Sequence, residues 1–234
     1  TIEQIVKTLE GMPCSTSIEM RDRALIAFVI LTGARDGAVA SAKIKHIDLA
    51  DHSFYQDARD VNTKFSKTFT TYFFPVGELP HKILADWIDY LVTELGYKQN
   101  SPLFPKTKLA HDANQQFEAV GLLEEHWSNA NPIRKIFAQA FALAGLPYFN
   151  PHSFRNTLVR LGEKLCQTPE EFKAWSQNLG HESVLTSFYS YGDVPDYKQA
   201  ELLRKLSMPA QNTSHDMEEQ FKQFMQFQQM KGNI

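Results

Sequence analysis

A mainly helical protein carrying one small, three-stranded antiparallel sheet is the fold class this sequence predicts, on three observations. Segments such as TIEQIVKTLEGM, PHKILADWIDYLVTELGY and IRKIFAQAFALAGLPY repeat apolar residues at helical spacing and end near Gly or Pro. Between Ala24 and Leu31 almost every residue is apolar, so the helix SIEMRDRALIAFVILTGA is predicted to run through the centre of the core. From Ile47 the period changes, and short runs rich in Phe, Tyr, Thr and Val alternate with turn residues.

Taken in order, Ile2, Ile5, Val6 and Leu9 form the inner face of a first helix that Gly11 and Pro13 terminate. Ser17 is the expected cap of the central helix, and Gly33 its left-handed stop, which lets Arg35 emerge at the edge of the core. Three strands are predicted in IDLADHSFYQD, ARDVNTK and KTFTTYFFPV, with Lys64 and Lys67 near the second turn. Pro80 to Tyr97 is an amphipathic helix with Ile83, Leu84, Trp87, Ile88, Leu91 and Val92 inward. The polar stretch from Ser101 to Pro132 reads as an ordered loop with one short helix. IRKIFAQAFALAGLPY, after Asn131 and Pro132, is a helix expected to pack in front of the next one.

The chemistry concentrates between Asn150 and Tyr191. Asn150 is a good N-cap and Pro151 suits a first helical position, so His152 and Arg155 share one face at a helix start. Unpaired N–H groups with an arginine fork in the next turn favour phosphate or carboxylate. Thr168, Pro169 and Glu171 open a further helix, PEEFKAWSQN, which Gly180 ends, leaving His181 just past it. Ser183 is the cap expected for a short helix, VLTSFYSY, whose last turn holds Tyr189 and Tyr191.

H-x-x-R at His152 and Arg155, L-G-H ending at His181, a following tyrosine and an earlier T-G-x-R ending at Arg35 stand in one order. This constellation resembles the catalytic domain of the tyrosine recombinases, or phage-type integrases, from about Arg21 to about Arg204. The resemblance implies the fold of these DNA breaking-rejoining enzymes and a site-specific recombinase that cuts and rejoins DNA through a covalent 3′-phosphotyrosine. In that reading Arg35, Arg155 and His181 meet the phosphoryl oxygens, His152 accepts a proton and Lys64 donates one. Lys67 is the alternative to Lys64. Tyr191 is the preferred nucleophile, with Tyr189 as the alternative, because the family's usual spacing after L-G-H falls on Ser190. Where the family usually has an acidic residue three after the first arginine, this chain has Ala38. On the same footing Arg155 is a phosphate fork whose removal leaves the core closed, and Lys43, Lys45, Lys67 and Arg160 are candidate DNA contacts. The alternative function is a catalytically inactive DNA-binding or synapsis module of the same fold.

At 234 residues and 43% hydrophobic, the chain is long enough for a substantial core. Its 24 Lys+Arg against 27 Asp+Glu give a net charge of -3, so any basic surface must come from distribution, with acids gathered away from the motifs. The sequence contains no P-loop, G-x-G-x-x-G or G-x-S-x-G element, and its eight histidines lack metal-ligand spacing, so neither metal nor cofactor is expected. Cys14 and Cys166 are too few for a disulfide framework, and Cys166 reads as a buried thiol on an apolar helix face. Residues 1–208 are expected to form the catalytic domain, without the DNA-clamping domain that often precedes it. Residues 209–234 should form a linker and an amphipathic C-terminal helix that docks on a neighbouring subunit. The implied partners are double-stranded DNA and further copies of the chain in a tetrameric synapse. The implied location is a bacterial or phage-encoded, cytoplasmic protein associated with the nucleoid, with no membrane.

Overall fold

In the computed structural model, residues 1–111 and 115–181 are described. Helix α1 (Ile2–Gly11) opens on a capping box in which Thr1 and Gln4 satisfy each other's backbone N–H groups. Helix α2 (Ser17–Thr32) does the same one residue before the expected cap. Thr16, not Ser17, accepts from the Glu19 N–H, because Glu19 stands three residues on and returns a bond to the Thr16 N–H at 2.9 Å. Every residue from Ala24 to Thr32 is buried, so α2 is the central helix its composition requires. Gly33 ends it with φ of 60°, a conformation that costs a side-chain-bearing residue about 1 kcal/mol.

A short helix α3 (Asp36–Ser41) follows, with Arg35 at its N-cap position, and leads to strand β1 (Ile47–Asp48). Strands β2 (Ser53–Gln56) and β3 (Phe69–Tyr72) complete an antiparallel sheet in the order β1-β2-β3. The sheet has the expected three strands, but the assignment differs: IDLADHSFYQD supplies both β1 and β2, and ARDVNTK is a connection. It cannot extend a ladder because the Asp57 carbonyl accepts from Asp60 and Val61, at 2.9 and 2.7 Å, and curls the chain. Phe54 of β2 meets Phe28 of α2 edge-on at 5.0 Å, which seats the sheet on the central helix. Just beyond β3, the Phe74 N–H donates to Leu31 O at 2.7 Å and fixes the sheet beside the end of α2.

Helix α4 (Glu78–Thr93) starts two residues before Pro80 and buries Ile83, Leu84, Trp87 and Leu91, whereas Val92, expected inward, is 45% exposed. The next segment departs from the sequence reading. In place of a loop with a short helix there is a second hairpin, β4 (Lys106–His111) with β5 (Phe117–Leu123). It buries little, so its strands lack the alternation that would betray them. Arg21 anchors its base by donating to Pro105 O at 2.9 Å and Thr107 Oγ1 at 3.0 Å. Helices α5 (Asn131–Leu143), α6 (Pro151–Leu165) and α7 (Pro169–Asn178) complete the described residues. Phe137 of α5 packs on Phe154 of α6 at 5.0 Å, so α5 does lie against the H-x-x-R helix. Cys166 is the C-cap of α6 and partly exposed, a correction to the expected buried thiol; a capping position lies past the helix's apolar face. No helix among the described residues is long and apolar enough to cross a membrane. The expected VLTSFYSY helix, Tyr189, Tyr191 and the C-terminal tail lie outside the described residues.

Candidate active site

Helix ends and one loop bring Arg35, Lys64, Lys67, Arg155 and His181 near one another. Asn150 caps α6 as expected, accepting from the Ser153 N–H at 2.9 Å, with Pro151 at the first position. This puts His152 at the surface and Arg155 one turn inside, 4% exposed. Arg155 donates through Nη1 to Gly33 O and through Nη2 to Leu179 O, each at 2.6 Å. Those carbonyls belong to the residues two before Arg35 and two before His181. Arg155 therefore fixes the spacing between two other candidate residues, besides carrying charge itself. The expectation that Arg155 can be removed without opening the core is corrected: its guanidinium is buried and bonded to two chain ends.

At the end of α7, Gly180 takes φ of 68°, its N–H donates to Gln177 O, and the His181 N–H donates to Ser176 O. This pair of bonds is a Schellman stop, and it holds the His181 backbone in one place. The α7 end is in turn pinned to the exposed edge of β3. Asn178 Oδ1 accepts from the Tyr72 N–H at 2.7 Å and its Nδ2 donates to Tyr72 O at 2.8 Å, as a neighbouring strand would. A Cβ on Gly162 would lie 2.6 Å from the Trp175 indole, so α6 and α7 can approach this closely only with glycine there. No local pattern marks Asn178 for this part, and sequence reasoning missed it.

Arg35, Lys64, Lys67 and His181 line one cleft of about 410 Å³. A smaller cavity shares Arg35, Lys64 and Phe69 with this cleft and is lined by Arg155 as well. Lys64 does not end a strand, as expected, but opens a 3-10 turn, Lys64–Ser66, in the connection between β2 and β3. Its Nζ sits 4.6 Å from the ring centroid of Phe65, which is 70% exposed.

The electrostatics are one-sided. Burial and the neighbouring charge of Arg35 lower the Arg155 pKa to about 9, leaving it charged at neutral pH. Burial, then Arg155, Arg35, His152 and Lys64, push His181 down to about 4. His152, although at the surface, is lowered by partial desolvation of its ring and by the two arginines, against a smaller opposing effect of Asp36. That carboxylate is itself paired with Arg134 at 3.0 Å. Five groups able to carry positive charge thus lie within electrostatic reach of one another, an arrangement that a bound anion relieves. Both imidazoles are neutral at pH 7 and able to donate through one nitrogen and accept through the other.

The other predicted residues lie elsewhere. Lys43 and Lys45 pair with Asp60 at 2.6 and 2.5 Å and do not line the cleft. Arg160 borders a separate depression of about 210 Å³ beside Thr1 and Phe149. Ala38 is buried, and so holds a place where a carboxylate would be costly.

A mainly helical domain with a small sheet, three helix ends and a hairpin loop converging on a cationic cleft, defines the catalytic-domain fold of the tyrosine recombinases. The chain belongs to the phage integrase family, whose model matches residues 1–194. No curated protein sequence matches it. Among solved structures it is similar to XerA recombinase, at 18% identity over 88% of this chain and 65% of that one, with a TM-score of 0.57. XerH site-specific recombinase, bound to a palindromic difH substrate in a post-cleavage complex, is also 18% identical, over 87% of this chain and 50% of that one, with a TM-score of 0.58. A lambda integrase dimer bound to a COC′ core site is 16% identical over 91% and 62%, with a TM-score of 0.52. The chain therefore spans between half and about two thirds of the length of these relatives.

Proposed function

We propose that the chain is a site-specific DNA recombinase that cleaves and rejoins duplex DNA through a tyrosine. The observation that carries this reading is the cleft lined by Arg35, Lys64 and His181, with Arg155 in the adjoining cavity tying the backbones before Arg35 and His181 and with His152 near enough to act on His181 electrostatically. Such a site suits the phosphodiester transition state, where negative charge spreads over phosphoryl oxygens and fixed donors stabilise it. Arg35 and Arg155 supply cationic donors and His181 a neutral N–H. A phenol, with an ordinary pKa of about 10, needs its proton removed as it attacks. His152, neutral at pH 7, accepts it. The phenolic oxygen bonds to phosphorus, the bond from phosphorus to the 5′ oxygen breaks, and Lys64 protonates that oxygen. Because the phosphotyrosine keeps the ester linkage, a 5′-hydroxyl from another strand can reverse the step without ATP or a cofactor. Tyr191 is the nucleophile in this reading, and Lys67 contributes to backbone binding. Relatives captured on DNA, including a dimer on its core site, support duplex DNA as partner and assembly on it, here as a tetrameric synapse. A cytoplasmic, nucleoid-associated protein follows from that role.

The experiment is covalent trapping. The protein is incubated with a randomised pool of duplexes nicked so that a cleaved end diffuses away, and adducts stable to SDS are collected. The wild-type chain should yield adducts enriched in one sequence, and Arg35→Ala should lose on the order of 100-fold or more in rate. Retention of a folded, DNA-binding protein with no adduct from any pool would overturn cleavage in favour of a binding module.

A further inference from the structure

Lys43 and Lys45, expected to face DNA, are instead gathered by one carboxylate. Asp60 Oδ1 lies 2.6 Å from Lys43 Nζ, and its Oδ2 lies 2.5 Å from Lys45 Nζ and 3.6 Å from the buried His46 Nε2. These three partners follow directly on α3, the helix with Arg35 at its N-cap. Asp60 itself belongs to the β2–β3 connection, four residues before Lys64. The two segments meet again where the Asn62 N–H donates to Ser41 Oγ at 2.8 Å, and Val61 between them is 2% exposed. A Cβ on Gly37 of α3 would reach Asn62 O at 3.4 Å. The connection thus sits against α3, and Asp60 ties it to the segment that follows that helix. Lysine has a long, rotamer-rich stem, so where its backbone is held decides how often its ammonium is in place.

We propose that Asp60 is a positioning residue for Lys64: its pairing with Lys43 and Lys45 fixes the loop so that the Lys64 ammonium faces the cleft. The proposal rests on reading the cleft as a phosphate site, but its test needs no cleavage. The probe is inorganic sulfate, titrated at constant ionic strength into the isotope-labelled full chain and followed by amide chemical shifts. Lys64→Ala should weaken sulfate about tenfold, the scale of one charge-assisted hydrogen bond. Asp60→Asn should weaken it comparably, although removing a negative charge would by itself strengthen anion binding. In the Lys64→Ala background, Asp60→Asn should produce no further weakening, because its effect passes through Lys64.

Asp60→Asn binding sulfate as well as or better than the parent would overturn the proposal and mark Asp60 as a charge mask over Lys43 and Lys45. Losses that multiply in the double variant would likewise reject action through Lys64. If Lys64→Ala binds like the parent, the anion site stands and the positioning proposal falls. If the parent shows no sulfate response at Arg35 or His181, the phosphate-site reading itself fails. Should Asp60→Asn not fold, Asp60→Glu moves the carboxylate by one methylene with charge retained. It should weaken sulfate severalfold only when Lys64 is present, and an unchanged affinity overturns the proposal.

Discussion

Arg155 shows how a single side chain can be both a charge in the site and a support for it. Its two carbonyl bonds hold the backbones that precede Arg35 and His181, so substitution removes more than a charge. Arg155→Ala leaves two carbonyls without that partner and a void beside the cleft, and should lower stability by about 3 kcal/mol. Urea unfolding checks this: the midpoint should fall with the slope unchanged. Arg155→Lys, retaining charge but not the fork, should recover part of the stability and little of the anion affinity.

The histidines set a pH dependence at the same scale. His181 is held near 4 in the folded protein, below the ordinary value of about 6.5 that applies when the chain is unfolded. Between those values the unfolded chain binds more protons, so this group makes stability rise with pH, and acidification from about 6.5 towards 4 removes that contribution. A bound dianion reverses the bias by favouring the charged imidazoles. Sulfate, whose own charge is constant across this range, should therefore bind more tightly as pH falls from 7 to 5 while the protein stays folded. His181→Asn should flatten that rise, and a flat profile in the parent would mean that the imidazoles do not face the anion.

At the scale of elements, the site depends on joints between helix ends and the sheet edge. Replacing Asn178 with Ala removes both bonds to the Tyr72 backbone, which water then partly replaces, so the expected cost is about 1 kcal/mol. Gly162→Ala should cost more, about 1–3 kcal/mol, because the new methyl meets the Trp175 ring and α7 has to move. Thermal or urea midpoints measured together should rank Gly162→Ala below Asn178→Ala.

These joints also mark what the sequence made legible. The Asn150 cap, the Thr168–Glu171 capping box and the Gly33 and Gly180 stops are written within four residues, and each is present in the structure. The buried run from Ala24 was equally plain, because nothing but a central helix absorbs so many apolar residues. The β2–β3 connection was not legible, since its shape depends on Asp60 meeting Lys43 and Lys45 across the fold. The β4–β5 hairpin escaped because its strands are mostly solvated. Arg155 stands out in the H-x-x-R motif, but its bonds to carbonyls 122 and 24 positions away are announced by no local pattern.

For the whole molecule, a net charge of -3 coexists with a cleft whose charged lining residues are cations, so under the proposed function the attraction for DNA is expected to come from local charge rather than from the chain's net charge. Binding to arbitrary duplexes should consequently be weak and fall steeply with salt, a dependence that the slope of log affinity against log salt measures. Arg35→Ala should reduce that slope, whereas Arg160→Ala, which alters a separate depression, should affect it less.

Cleavage through a tyrosine is tested by the identity of the residue that carries the DNA. Adducts formed on a suicide duplex are digested with protease and nuclease, and the modified peptide is located by mass spectrometry. A nucleotide-linked phosphotyrosine is expected at Tyr191, absent in Tyr191→Phe and retained in Tyr189→Phe. Modification at Tyr189 would move the nucleophile and leave the mechanism standing. Cleaved DNA with no tyrosine linkage would rule out the phosphotyrosine mechanism.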